Sequence, residues 1–240
     1  MITDAPRAAR RAAPVTAIAI DNGALEAGKW IGLAAMTIDH VNTYLLHGSH
    51  AWMYQTGRLA MPLFAIALAA HLAAPGSLRR GGPAQRMTVR LAAFGLLAQI
   101  PFTLLRGGPW PPTLLNTMLL LLLVVAFLRL RASEKRSHRI WAWTLLAVAG
   151  AVVEFWWIGA AVIVTVRAWL LEPTAERAVA VAAAFAGLCI LTGSVVPLLA
   201  PVVVYVLARG GVALRRAHLF FYGYYPLHLA VLLALGGGSR

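Results

Sequence analysis

The stretch "AAMTIDHVNTYLLHG", residues 34–48, sets an adjacent Asp39 and His40 inside an otherwise apolar run. An ionisable side chain near the centre of a bilayer costs about 2.5–3.5 kcal/mol on insertion scales. Such a pair is tolerated where neighbouring helices supply partners for it, so the stretch predicts a membrane-embedded helix with a polar stripe turned into a bundle. Thr37, His40, Tyr44 and His47 follow steps of three, four and three, which is one helical face, and Asp39, Asn42 and Thr43 line the adjacent side. Asp39 sits about 100° round the helix from His40. It is therefore expected to pair with Arg58 or another helix rather than with His40.

The rest of the chain agrees with that environment. Of its 240 residues 60% are hydrophobic and 12% charged, where soluble domains run nearer 45–50% and about 25%. Nine apolar segments can be marked, at 28–46, 58–74, 87–105, 113–130, 139–153, 156–171, 177–194, 196–208 and 217–235. Several approach the roughly 20 residues that span a bilayer as a helix. Three of them, 139–153, 156–171 and 196–208, are short for a full span. The apolar runs are continuous rather than alternating, which argues against a β-barrel. The expected fold is an all-α, polytopic bundle of about nine helices. A tail over 1–27, without the pattern of a signal peptide, precedes a membrane domain over 28–235, and a short tail over 236–240 follows. A single cysteine, Cys189, leaves no disulfide framework. No cysteine–histidine metal spacing and no nucleotide-binding glycine loop is visible.

A net charge of +13 could serve nucleic acid, but in a membrane chain it is better explained by topology. With the N-terminus inside and the segments alternating, 18 of the 21 basic residues fall on the inner side. The outer set is Arg58, Arg106 and Arg240. Cytoplasmic loops collect Lys and Arg, so the expected topology is N-in/C-out with lipid, not nucleic acid, as the surroundings. The basic loops "LRRGGPAQR" (78–86) and "RLRASEKRSHR" (129–139) are topology signals. They are also candidates for holding an anionic cofactor at the inner face, through Arg79, Arg80, Arg129 and Arg136.

Helix rise places the polar residues at one level. Counted from Lys29, His40 lies about 16 Å into a core about 30 Å thick. Counted from Arg216, His228 lies about 18 Å deep, and Gln99 about 14 Å from Arg90. Arg58 and Asn116 come from the outer ends of their segments and Glu154 from the outer turn between the fifth and sixth. His71 falls nearer the inner face. These residues predict a polar pocket spanning the midplane and outer half. Histidine exchanges protons near neutrality, so His40 is a candidate base, with Asp39 and His228 as its companions. No serine nucleophile stands nearby, which favours direct or histidine-assisted transfer over a serine-triad hydrolase.

The block "GLAAMTIDHVNTYLLHGSHAWMYQTGRLAMPLFAIALAAHL" (32–72) resembles the N-terminal signature of the TraX family of conjugative plasmids. The resemblance rests on its M-x-x-D-H run, the S-x-x-W-M that follows, and the G-R-x-A-x-P-L-F-A block. "FFYGYYPLHLAVLLAL" (220–235) resembles the family's last helix, and "LLAQIPFTLL" and "LLNTMLL" fit more loosely. The resemblance implies a multi-pass protein of the bacterial inner membrane. It implies an acetyltransferase that takes an acetyl group from cytoplasmic acetyl-CoA to the N-terminus of a conjugative pilin subunit. The residues carried onto this chain are Asp39, His40, Arg58 and His228, with Asn116 a weaker match; taken with the depth reading, Asp39, His40 and His228 are the catalytic candidates. Arg58, Asn116, Gln99 and Tyr225 are candidates for holding substrate and the developing oxyanion, and no metal is expected. Three other readings stay open: a proton-coupled transporter, a non-catalytic pilus-assembly or entry-exclusion protein, and an acyltransferase acting on a glycan or small amine.

Overall fold

A computed structural model describes residues 18–107, 115–212, 214–215 and 217–237. Arg7, Arg10, Arg11, Arg216 and Arg240, and the start of the fourth apolar segment at 113–114, lie outside the described residues. Within them the chain is all-helical, with one isolated bridge between Leu115 and Val153. The helices are α1 (Asn22–Tyr44), α2 (Ala51–Gly57), α3 (Ala60–Ala73), α4 (Pro83–Leu105) and α5 (Thr117–Arg131), then α6 (Arg136–Gly150), α7 (Trp156–Leu171), α8 (Ala175–Thr192), α9 (Leu199–Arg209) and α10 (His218–Leu232). Because α2 and α3 run on as one apolar rod, Ala51–Ala73, the bundle has nine rods among the described residues.

Among the described residues four stretches are long and apolar enough to cross a membrane: Ala51–Ala73, Pro83–Leu105, Ala175–Thr192 and Leu219–Gly236. Trp156–Leu171 and Val196–Arg209 are apolar but shorter. α1 is 23 residues long, yet carries Glu26, Lys29 and Asp39 within it.

α3 is the centre of the bundle. Its sequence "AMPLFAIALAAHLA" is apolar all round, as a helix packed on every side must be. It lies against α1, α5, α7 and α9. α10 packs along α4 and reaches α1, and the pair α5–α6 closes against α4 and α7. Large apolar side chains on the outer helices, such as Trp141, Val148, Val179 and Ile190, are exposed as lipid-facing residues are.

Helix starts follow local chemistry. Asp21 accepts from the backbone N–H of Gly23 at 2.7 Å and of Ala24 at 3.2 Å. This cap starts α1 six residues ahead of the apolar segment read from the sequence. Pro83 occupies the first turn of α4, where its missing N–H costs nothing. α2 has no counterpart among the apolar segments, because Tyr54, Gln55 and Thr56 interrupt its hydropathy.

Candidate functional site

α1 and α2 are held together where the site lies. The Asn42 side chain donates to the carbonyl of His50 and accepts from its N–H, both at 3.0 Å, clipping the intervening loop to α1. His47 sits in this loop with φ 53° and is exposed, so the polar face read along α1 ends at Tyr44. The clip brings Arg58, at the end of α2, onto Asp39 in a partly buried ion pair. Arg58 is further fixed by an Nε bond to the Tyr54 carbonyl at 3.2 Å and by its guanidinium lying 4.1 Å from the Tyr54 ring centroid. Gly57 touches Asp39 directly: a Cβ there would stand 2.2 Å from the Asp39 Cβ. The second Asp39 oxygen, Oδ1, is buried and makes no hydrogen bond.

α10 brings His228 to His40. His40 Nδ1 and His228 Nε2 are 2.8 Å apart, and the two rings lie within 12° of parallel with centroids 5.0 Å apart. A short N···N contact at that centroid separation is an edge-to-edge hydrogen bond in a common plane. His228 is buried, and its Nδ1 lies 3.0 Å from the carbonyl of Tyr224. The candidate base and its expected companion His228 thus meet, across 188 positions of sequence.

Three cavities follow one another past these groups. The first, about 110 Å³, is lined by Asp39, His40, Arg58, Thr117, Glu154 and Tyr225, with Met36 and Phe64 among its apolar walls. The second, about 160 Å³, is mostly apolar and shares Met36, Phe64, Thr117 and Tyr225 with the first. The third, about 720 Å³, shares His71, Met87 and Tyr222 with the second and is lined by Arg86 and Arg90. α1 runs alongside all three. Asn22 and Leu25 face the third, Lys29, Leu33 and Met36 the second, and Met36 and His40 the first. Those positions advance by three or four residues, so they form one face of the helix over about 27 Å.

Glu154 closes the first cavity. Its carboxylate accepts from Thr117 and lies 3.8 Å from Arg106. It is held by a backbone clasp in which Leu115 N–H donates to Val152 at 2.8 Å and Glu154 N–H to Leu115 at 2.9 Å.

Asn116 and Gln99 stand elsewhere. Asn116 is fully buried and caps α5 through Oδ1, while its amide donates to the Gly95 carbonyl at 2.8 Å and to Gln99 Oε1 at 3.0 Å. With both N–H bonds used between α4 and α5, it has no donor left to aim at a reacting oxygen, and neither residue lines the three cavities. Arg79, Arg80 and Arg136 are exposed, and Arg129 donates to Thr88 at 3.2 Å. None of the four lines the third cavity, whose guanidinium groups belong to Arg86 and Arg90. These two are four residues apart on α4, a spacing visible in the sequence; Arg86 ends the basic loop 78–86 expected to hold an anion, whereas Arg90 carries only a topology role in the sequence reading.

A family model described as TraX protein matches residues 24–236, most of the chain and all of the residues above except Asn22. No curated protein and no solved structure matches. The chain belongs to the TraX family.

Proposed function

We propose that this TraX-family membrane protein is an acetyltransferase, moving an acetyl group from acetyl-CoA to the N-terminal amine of a conjugative pilin subunit, with His40 as general base. In this reading it sits in the bacterial inner membrane, N-terminus inside, with the Pro83 end of the bundle cytoplasmic and the Asp39 end outward. The observation that carries the reading is the run of three cavities along α1. It sets a wide basic cavity next to an apolar one and then a polar chamber lined by His40, with His228 bonded behind it.

The residues present suit such a donor. Arg86 and Arg90 line the wide cavity and match the charge of phosphate groups. The apolar second cavity, with Lys29 and His71 on its wall, suits a long flexible arm better than a charged one. Acetyl-CoA supplies, when bound, an acyl group activated as a thioester. At the far end His40 lines the chamber and accepts the proton of an attacking amine. Arg58, held by Asp39 and Tyr54, and Tyr225 present donors to the same chamber for a developing oxyanion. Asp39 Oδ1, lacking a bond, is an acceptor that a substrate N–H would satisfy once the chamber adjusts around it.

The test is reconstitution of the purified protein with labelled acetyl-CoA and a pilin peptide, read by intact mass. A gain of one acetyl group at the peptide N-terminus, lost in H40A, is the expected result. An unchanged mass with wild-type protein overturns the reading. The same succession of cavities favours, as a second reading, a proton-coupled carrier. That reading expects substrate flux into liposomes with no acetyl consumed.

A further inference from the structure

The hydrogen bonds around the two histidines have a single direction. The Tyr224 carbonyl can only accept, so His228 carries its proton on Nδ1. In the neutral ring Nε2 then holds the lone pair, and the proton in the 2.8 Å bond belongs to His40 Nδ1. His40 Nε2 is left as the basic nitrogen of a residue that lines the chamber.

Tyr224 is set up to hold this arrangement. Thr37 donates its hydroxyl proton to the Leu33 carbonyl at 2.8 Å, so the 2.7 Å contact between Thr37 Oγ1 and Tyr224 is donated by the phenol. That bond ties Tyr224 to the same helix that carries His40, three residues away. The Tyr224 ring lies parallel to His228, within 11° and with centroids 5.1 Å apart. No short polar contact joins these two rings, so at that separation they overlap as an offset face-to-face pair. α1 and α10 are thus joined by two successive rungs, Thr37–Tyr224 and His40–His228.

The geometry points to a directional proton pair: His40 takes a proton at Nε2 and releases its Nδ1 proton to His228 Nε2, and Tyr224 is the positioning residue that holds His228 to receive it. This rests on the acetyl-transfer reading. As the C–N bond forms and the thioester C–S bond breaks, the amine nitrogen gives a proton to His40 and the positive charge passes to His228. There it faces the Tyr224 ring, a favourable cation–π arrangement, and its Nδ1–H bond to the carbonyl becomes charge-assisted. The departing thiolate takes the proton back through His40 Nε2, and the neutral pair is restored. Amine plus thioester become amide plus thiol with no proton left over. Holding the charge on His228 keeps it one ring further from the cationic Arg58 side of the chamber.

The experiment pairs spectroscopy with kinetics on the full chain in detergent. Long-range ¹H–¹⁵N spectra of ¹⁵N-histidine protein, assigned by single substitutions, are expected to show His40 and His228 both protonated on Nδ1. His40 protonated on Nε2 instead would overturn the proposal whether or not the preparation is active. H228Q leaves an oxygen that accepts from His40 Nδ1 but takes no proton. It is expected to lower kcat by about 100-fold or more with little change in either KM. A wild-type kcat in H228Q defeats the relay. Y224A is expected to lower kcat by about tenfold, and Y224F, which retains the ring, to recover most of that loss. Equal losses in Y224A and Y224F defeat the role given to the ring. A wild-type protein that transfers no acetyl group, with both tautomers as expected, defeats the acetyltransferase reading and leaves the polarity of the pair standing.

Discussion

His40 lines the chamber and His228 stands behind it, so removing the front ring removes the proposed base. H40A is expected to lower acetyl transfer by about 100- to 10,000-fold, the range for a positioned general base, while the protein still inserts and elutes as wild type. Gly57 bears on the same site through space rather than chemistry. A Cβ 2.2 Å from the Asp39 Cβ and 2.5 Å from its Cγ cannot be accommodated without moving α2 off α1. G57A is expected to lower stability by about 1–3 kcal/mol, seen as a reduced thermal midpoint in detergent, and to abolish activity through the displaced Arg58. Asn116 separates structure from chemistry in the opposite sense. N116A removes a helix cap and the side-chain bonds to the Gly95 carbonyl and Gln99 Oε1, the latter keeping the backbone N–H of residue 116. It is expected to cost about 2 kcal/mol or more but to leave the rate per folded molecule near wild type. A rate loss far beyond the folded fraction would return Asn116 to the chamber.

At the scale of elements, α1 is the ruler along which the three cavities are arrayed, and its face can be blocked without touching its charges. Met36 borders both the apolar neck and the chamber. M36W is expected to cut turnover by about tenfold or more, since small displacements of reacting groups have effects of that size; the measurement is steady-state transfer alongside an unchanged melting curve. The sequence made α1 legible because its charges break an apolar run and its period is regular. Counting helix rise put His40, His228 and Gln99 at a common depth, and depth alone admitted all three. Direction round the helix axis decides membership, and that depends on how neighbouring helices pack. His228 turns toward α1, whereas Gln99 turns toward α5 to hold Asn116. The Asp39–Arg58 pair was legible for a related reason: a carboxylate about 100° from its histidine neighbour needed another partner, and Arg58 was the nearest basic residue in sequence at that end. α2 was not legible, being seven residues long and interrupted by three successive polar positions, Tyr54, Gln55 and Thr56. Tyr224 lay hidden in an aromatic run where every residue suits packing, and only its contacts with Thr37 and His228 single it out.

Over the whole molecule the charge asymmetry read along the chain becomes an asymmetry between two ends. The third cavity opens among residues 74–86 and the start of α1, close to the basic turns, while the chamber lies beside the α2–α3 break, the turn at Glu154 and the end of α8. N-in/C-out is expected from that distribution. Single cysteines in a Cys189-free background test it. Residues 48 and 193 are expected to react with an impermeant maleimide in intact spheroplasts, and residues 81 and 133 only after permeabilisation; the reverse pattern would invert the topology. The clip between Asn42 and His50 has a consequence for biogenesis. Asp39 and Arg58 are only 19 positions apart and joined by a short loop, so the first helical hairpin can leave the translocon with its two charges already neutralising each other. The charge that marks the site then never has to enter lipid alone. Synthesis of R58L is expected to yield less integrated protein than synthesis of the D39L/R58L double variant, measured by alkaline extraction of membranes, although neither chain retains a working site.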